Sequence, residues 1–125
     1  MIDHVTIPVR NLARSREFYE LAFAPLGFGV AFGEEGKFCA FQLGGRGLFE
    51  IYEEEQAFLP VHVAFRAGSR EVVHRFHQAS LIAGARDNGG PGPRPQYTPN
   101  YYAAFVLDPD GHNIEAMHDS WEEKT

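Results

Sequence analysis

The chain is written twice, and that repetition limits its folds more than any other feature. His4 opens the run "DHVTIPV" and Glu50 sits in "LFEIY", while His62 opens "VHVAF" and Glu115 sits in "HNIEAM". When His4 is aligned with His62, a good helix N-cap follows seven residues later in each half, Asn11 and Ser69. A phenylalanine comes at the same offset in both, Phe18 and Phe76, and Gly27 and Gly84 close the two helical stretches where a glycine is favoured. The spacing predicts helices over 12–23 and 70–83. Leu12, Phe18, Tyr19 and Ala22 supply the core face of the first, and Val72, Val73, Phe76, Ala79 and Ala83 that of the second.

β-type sequence follows each helix: 28–33, 37–43 and 47–53 in the first half, then a weak run at 85–88 and strong runs at 102–107 and 113–118. "DPDG" at 108–111 is a turn, with proline pre-setting one dihedral and glycine accepting positive φ. Each half therefore reads β-α-β-β-β. The expected class is α+β, with the two modules forming a curved, mostly antiparallel sheet around a cup-shaped cavity, helices outside. Module one covers about 1–53, a linker about 54–60, module two about 61–118 and an acidic tail 119–125, all in a single domain. Residues 84–101 break the symmetry, because their glycines and prolines are too irregular for regular structure; an ordered lid is the expectation.

Bulk properties narrow the partners. A hydrophobic fraction of 44% excludes a disordered chain, and a net charge of −6 disfavours nucleic acid and anionic membranes. The lone Cys39, in the apolar run "FCAFQL", reads as a buried thiol and excludes an internal disulfide framework. No run reaches membrane-spanning length, so the expectation is a cytoplasmic, soluble protein.

Alternation along strands puts His4 with Thr6 and Pro8, Glu50 with Leu48 and Tyr52, His62 with Ala64 and Arg66, and Glu115 with Asn113 and Met117. The opposite faces are strongly apolar. A lone strand histidine is more often a packed or surface residue than a ligand, and a lone glutamate usually meets solvent. Symmetric placement argues otherwise, since unrelated accidents do not respect a repeat. Two histidines and two glutamates near one axis are hard to justify without a cation, and they suit Zn²⁺, Ni²⁺, Fe²⁺ or Mn²⁺. Arg86, Arg94, Tyr97, Tyr101 and Tyr102 lie in or beside the proline-rich loop. They are candidates for a lid donating to an anionic substrate, weighed against ordinary surface arginines and packing tyrosines. His74, His77, His112 and His118 are expected to face solvent, and Trp121 to pack on the sheet or on a partner chain.

The segments "NLARSREFY" at 11–19 and "DPDGHNIE" at 108–115, within the doubled unit, resemble the vicinal oxygen chelate superfamily over residues 1–118. That superfamily includes glyoxalase I, fosfomycin-resistance enzymes, extradiol dioxygenases and metal-free bleomycin-binding proteins. The resemblance implies a glyoxalase-like ligand set at His4, Glu50, His62 and Glu115. It also implies a divalent metal polarising two adjacent substrate oxygens, and Glu115 or Glu50 moving a proton. A lyase, isomerase or dioxygenase acting on a small molecule is the implied activity. A metal-free sequestering protein of the bleomycin-resistance kind is the alternative. Pairing of two copies is implied too, with each metal held within one chain or across two.

Overall fold

The computed structural model describes residues 1–120, so the expectation for Trp121 lies outside the described residues. The first module runs β1 (His4–Val9), α1 (Leu12–Phe23), β2 (Gly29–Glu34), β3 (Phe38–Gln42) and β4 (Leu48–Glu53). The second runs β5 (His62–Arg66), α2 (Arg70–Ile82), β6 (Arg86–Asp87), β7 (Gly92–Pro93), β8 (Tyr102–Leu107) and β9 (Asn113–His118). Among the described residues no helix is long and apolar enough to cross a membrane.

Local chemistry explains both helix starts. Asn11 Oδ1 accepts from the Arg14 amide at 3.1 Å, and Ser69 Oγ accepts from the Val72 amide at 3.2 Å. Each cap satisfies one of the amides that a helix start leaves without a partner. At its far end α1 tightens into a single 3-10 turn over Ala24–Leu26, where Pro25 lacks an amide donor. Gly27 then takes φ 79°, a left-handed conformation that glycine adopts without steric cost.

The α+β class holds, and the duplication is visible in strand order. One sheet is ordered β1-β4-β3-β2 and the other β5-β9-β8-β6, with β7 also pairing β8. In each sheet the first strand lies parallel to the last, and the other pairings are antiparallel. The expected single sheet is thus built as two, one per module. Residues 84–101 are more regular than their composition suggests. The short strands β6 and β7 both pair with β8, because backbone hydrogen bonding, unlike side-chain alternation, survives in a glycine- and proline-rich segment.

The two modules share one core. Phe23 of α1 lies 5.4 Å from Phe41, 5.4 Å from Phe49 and 5.0 Å from Phe65, ring centre to ring centre, so it joins β3 and β4 to β5. Ile7, Val9, Ile51, Phe76, Val106, Ile114 and Ala116 complete the same buried cluster. The faces of β1, β4, β5 and β9 that carry these apolar residues are opposite those that carry His4, Glu50, His62 and Glu115. Both histidine–glutamate faces therefore point away from the shared core.

A polar clasp also ties the modules together, and it corrects one expectation. His112 does not face solvent: it is fully buried, its ring stacked on Phe58 at 5.6 Å. Its Nδ1 accepts from the Val61 amide at 3.0 Å, and its Nε2 donates to the Pro8 carbonyl at 2.6 Å. The neighbouring Asp108 carboxylate accepts from Tyr19 Oη of α1 at 2.5 Å and from the Asp110 and His112 amides. A turn histidine reads as polar in sequence. Here, Pro8 of β1 and Val61, just before β5, satisfy both ring nitrogens, so its burial carries no unpaired polar group. His118 is half-buried, with Nδ1 3.0 Å from the Ala67 carbonyl. His74 meets Tyr102 Oη at 2.5 Å, and His77 meets Asp87 at 3.0 Å, so neither histidine of α2 is left to water alone.

Candidate functional site

The candidate ligands fall at equivalent register in the two sheets. Thr6 on β1 is paired with Glu50 on the parallel strand β4, and Ala64 on β5 is paired with Glu115 on the parallel strand β9. Each histidine lies two residues before that pairing point, which puts it on the glutamate's face. The structure thus brings His4 with Glu50 and His62 with Glu115. Among the described residues of one chain, no three His, Cys, Asp or Glu side chains converge as metal ligands would.

The second pair is the more developed. Glu115 is only 3% exposed, and a carboxylate so placed costs several kcal/mol unless it is partnered. Its Oε1 lies 2.8 Å from His62 Nε2, and its Oε2 accepts from Tyr101 Oη at 2.5 Å. Burial first, and then this bond to a carboxylate, pushes the Tyr101 phenol well above its ordinary range, so it remains a donor. Tyr97 packs edge-on against Tyr101 at 5.1 Å. The His62 side chain is half exposed, so one edge of the pair meets solvent.

The first pair is looser. Thr6 Oγ1 donates to Glu50 Oε1 at 3.0 Å, and His4 Nδ1 lies 2.8 Å from Asp3 Oδ1. The bond to Asp3, followed by the nearby Glu50 charge, raises the His4 pKa. His4 and Glu50 do not bond each other as His62 and Glu115 do.

The five loop candidates divide. Tyr101 and Tyr97 belong to the His62/Glu115 half. Arg94 lies over the Phe105 ring at 5.4 Å, and the same ring is 6.1 Å from that of His62. Tyr102 is turned to the other face, bonded to His74 and capped by the Arg70 guanidinium at 4.7 Å. Arg86 lies exposed on β6, opposite Leu107. Sequence reasoning missed Phe105 and Thr6. Both stand directly across from a candidate glutamate, Phe105 from Glu115 and Thr6 from Glu50, so only the strand register could have identified them.

An open groove of about 690 Å³ lies elsewhere, between α1 and the β2–β3 hairpin, lined by Leu12, Arg16, Glu20, Phe32 and Cys39 among others. It contains none of the candidate ligands. Burial raises the pKa of the Cys39 thiol, in keeping with the expected buried side chain.

Comparison with known proteins agrees with this geometry at the level of family and fold. A family model described as Glyoxalase/Bleomycin resistance protein/Dioxygenase superfamily matches residues 1–116. A glyoxalase/bleomycin resistance protein from Albidiferax ferrireducens T118 superposes with a TM-score of 0.82 at 28% identity, covering 94% of this chain and 98% of that one. A glyoxalase/bleomycin resistance protein/dioxygenase family enzyme from Burkholderia phytofirmans PsJN gives 0.75 at 18% identity, covering 94% and 97%. Lactoylglutathione lyase from Agrobacterium tumefaciens gives 0.74 at 16% identity, covering 94% and 92%; these last two likenesses concern the fold alone. No curated protein matches the chain. With the family model spanning nearly its whole length, the chain belongs to the Glyoxalase/Bleomycin resistance protein/Dioxygenase superfamily.

Proposed function

We propose that this protein is a divalent-metal-dependent enzyme of glyoxalase-like type, acting on a small molecule with two adjacent oxygens. The observation that carries the reading is the repeated register, which places a histidine and a glutamate on one face of parallel strands in both sheets. Each pair offers one imidazole nitrogen and one carboxylate, and two pairs make the donor set that Zn²⁺, Ni²⁺, Fe²⁺ or Mn²⁺ accepts. The donors fit such an ion only when a His4/Glu50 pair meets a His62/Glu115 pair. Because both faces point away from the shared core, the reading includes a homodimer in which one copy supplies the first pair and its partner the second.

When bound, the metal would polarise the two substrate oxygens. This chain's own residues would do the rest. Glu115 is the proton carrier, with Oε1 beside the half-exposed His62 and Oε2 held by Tyr101. Tyr101 covers the carboxylate on the loop side, and Tyr97 packs edge-on behind it. Lyase or isomerase chemistry, a proton shifted between adjacent carbons, suits a carboxylate held in this way.

One observation favours a second reading. His62, Glu115 and Tyr101 satisfy one another within a single chain, as a metal-free binding cup of the bleomycin-resistance kind would allow. Elemental mass spectrometry of untagged protein, beside His4→Ala and His62→Ala, separates the two. The enzyme reading expects near-stoichiometric metal that both substitutions remove. Protein that carries no metal and takes up none when it is supplied leaves the cup as a binding pocket.

A further inference from the structure

Arg94 is a half-buried cation with no carboxylate partner among the described residues, in a chain whose acidic residues number 17 against 11 lysines and arginines. The loop around it is built to hold it there. Its Nη2 donates to the Gly90 carbonyl at 2.9 Å and its Nη1 to the Pro93 carbonyl at 3.3 Å. A Cβ at Gly89 would stand 3.1 Å from Phe105 Cδ1 and 3.4 Å from Arg94 Nη2, and a Cβ at Gly92 would stand 3.2 Å from Arg94 Nη1. Gly89 also has φ +142°, where a side chain is strained. The glycines of "GGPGPR" thus leave the room the guanidinium occupies. One end of this strap is fixed to β8 and the other to the residue before it: the Phe105 amide donates to the Gly89 carbonyl at 2.8 Å, and the Arg94 amide to the Tyr101 carbonyl at 2.8 Å.

Such a cradle also positions the guanidinium relative to the site. Phe105 is directly across from Glu115, and its one ring carries both the Arg94 guanidinium and the neighbouring His62 imidazole. A guanidinium has five N–H donors; among the described residues two of Arg94's are engaged, both by carbonyls, and no carboxylate balances its charge. A planar two-oxygen anion is what such a fork binds best.

We propose that Arg94 anchors a carboxylate on the substrate, so that the substrate class is a small acid bearing both a vicinal oxygen pair and a carboxylate group; this rests on the metal-dependent reading above. The test uses Zn²⁺-loaded full-length protein and calorimetric titration with catechol, 2,3-dihydroxybenzoate and 3,4-dihydroxybenzoate. These probes share a vicinal oxygen pair, and only the latter two carry a carboxylate. Wild type is expected to bind one of the benzoates about tenfold tighter than catechol, a difference of about 1.4 kcal/mol. Arg94→Gln should erase that difference and Arg94→Lys should keep part of it, with thermal unfolding run alongside to verify the fold. A loop staple without a binding role would change stability and leave the ratio of affinities alone. Equal binding of all three probes by wild type, or a preference that survives in Arg94→Gln, overturns the assignment and leaves the metal reading intact. If catechol fails to bind, the metal reading falls, and Arg94 then stands or falls on whether Arg94→Gln weakens binding of the benzoates.

Discussion

His62 Nε2 lies 2.8 Å from Glu115 Oε1 across the parallel strands β5 and β9, and Tyr101 holds the other oxygen of the same carboxylate at 2.5 Å. The pair is ordered by two different means, a sheet register and a loop phenol. They are separable by mutation.

Tyr101→Phe removes the phenol and leaves a carboxylate oxygen of a 3%-exposed residue without its partner. The expected loss is about 1–2 kcal/mol of stability, below the full penalty for a buried polar group because Tyr101 itself is only half-buried. Urea denaturation of the two proteins checks it. An unchanged midpoint and slope means that the bond contributes nothing to stability.

His112→Ala deletes the ring that joins β1, the linker and the "DPDG" turn, and strands the Val61 amide and the Pro8 carbonyl. A cavity and two unpaired backbone groups together should cost about 3–5 kcal/mol. The melting temperature should therefore fall by much more than for alanine at the half-exposed His62.

Asp108 gives a pH-dependent prediction. Burial raises its pKa above the ordinary carboxylate value, with the Tyr19 bond and the His112 and Asp110 amides offsetting part of that rise. The folded state then holds the proton more tightly than the unfolded one, so Asp108 lowers stability as pH rises from about 3.8 through its folded value. Asp108→Asn lacks that loss. The stability difference between Asp108→Asn and wild type, followed by urea denaturation from pH 3.5 to 7, should move in favour of the asparagine as pH rises. A flat or opposite trend contradicts the sign.

Gly89→Ala should destabilise by about 1–3 kcal/mol, since the new methyl meets Phe105 at a backbone angle of +142°. The neighbouring Gly90, with open space where a Cβ would go and no positive φ, is the control. Chemical denaturation of both alanine variants distinguishes a local clash from general loop sensitivity.

Local chemistry was legible in the sequence wherever it was sufficient. Asn11 and Ser69 cap their helices, and "DPDG" forms its turn, with the Gly111 amide donating to the Asp108 carbonyl at 3.0 Å and φ +86° at Gly111. The runs at 102–107 and 113–118 are the strands expected of them. What depends on register or distant partners was not legible. Tyr101 and Tyr102 are adjacent in sequence, yet one serves Glu115 and the other His74, because a one-residue phase decides the face. Strand β6 falls inside the weak run expected at 85–88, whereas β7 shows no side-chain alternation, and His112 is buried by Phe58 and Pro8, which lie far from it in the chain. The histidine–glutamate repeat was visible at once. That its two pairs lie on separate sheets, facing away from a common core, followed only from the strand pairing and from the packing of Phe23, Phe49 and Phe65.

The central claim is a metal site completed by two copies, and mixed dimers test it most directly. Glu50→Ala and Glu115→Ala chains, co-expressed with different tags and isolated as the mixed dimer, retain one intact His4/Glu50 pair on one copy and one intact His62/Glu115 pair on the other. Metal measured by elemental mass spectrometry should come to about one ion per mixed dimer, with none in either variant alone. A mixed dimer as empty as its parents, or parents that keep their metal, would contradict the account.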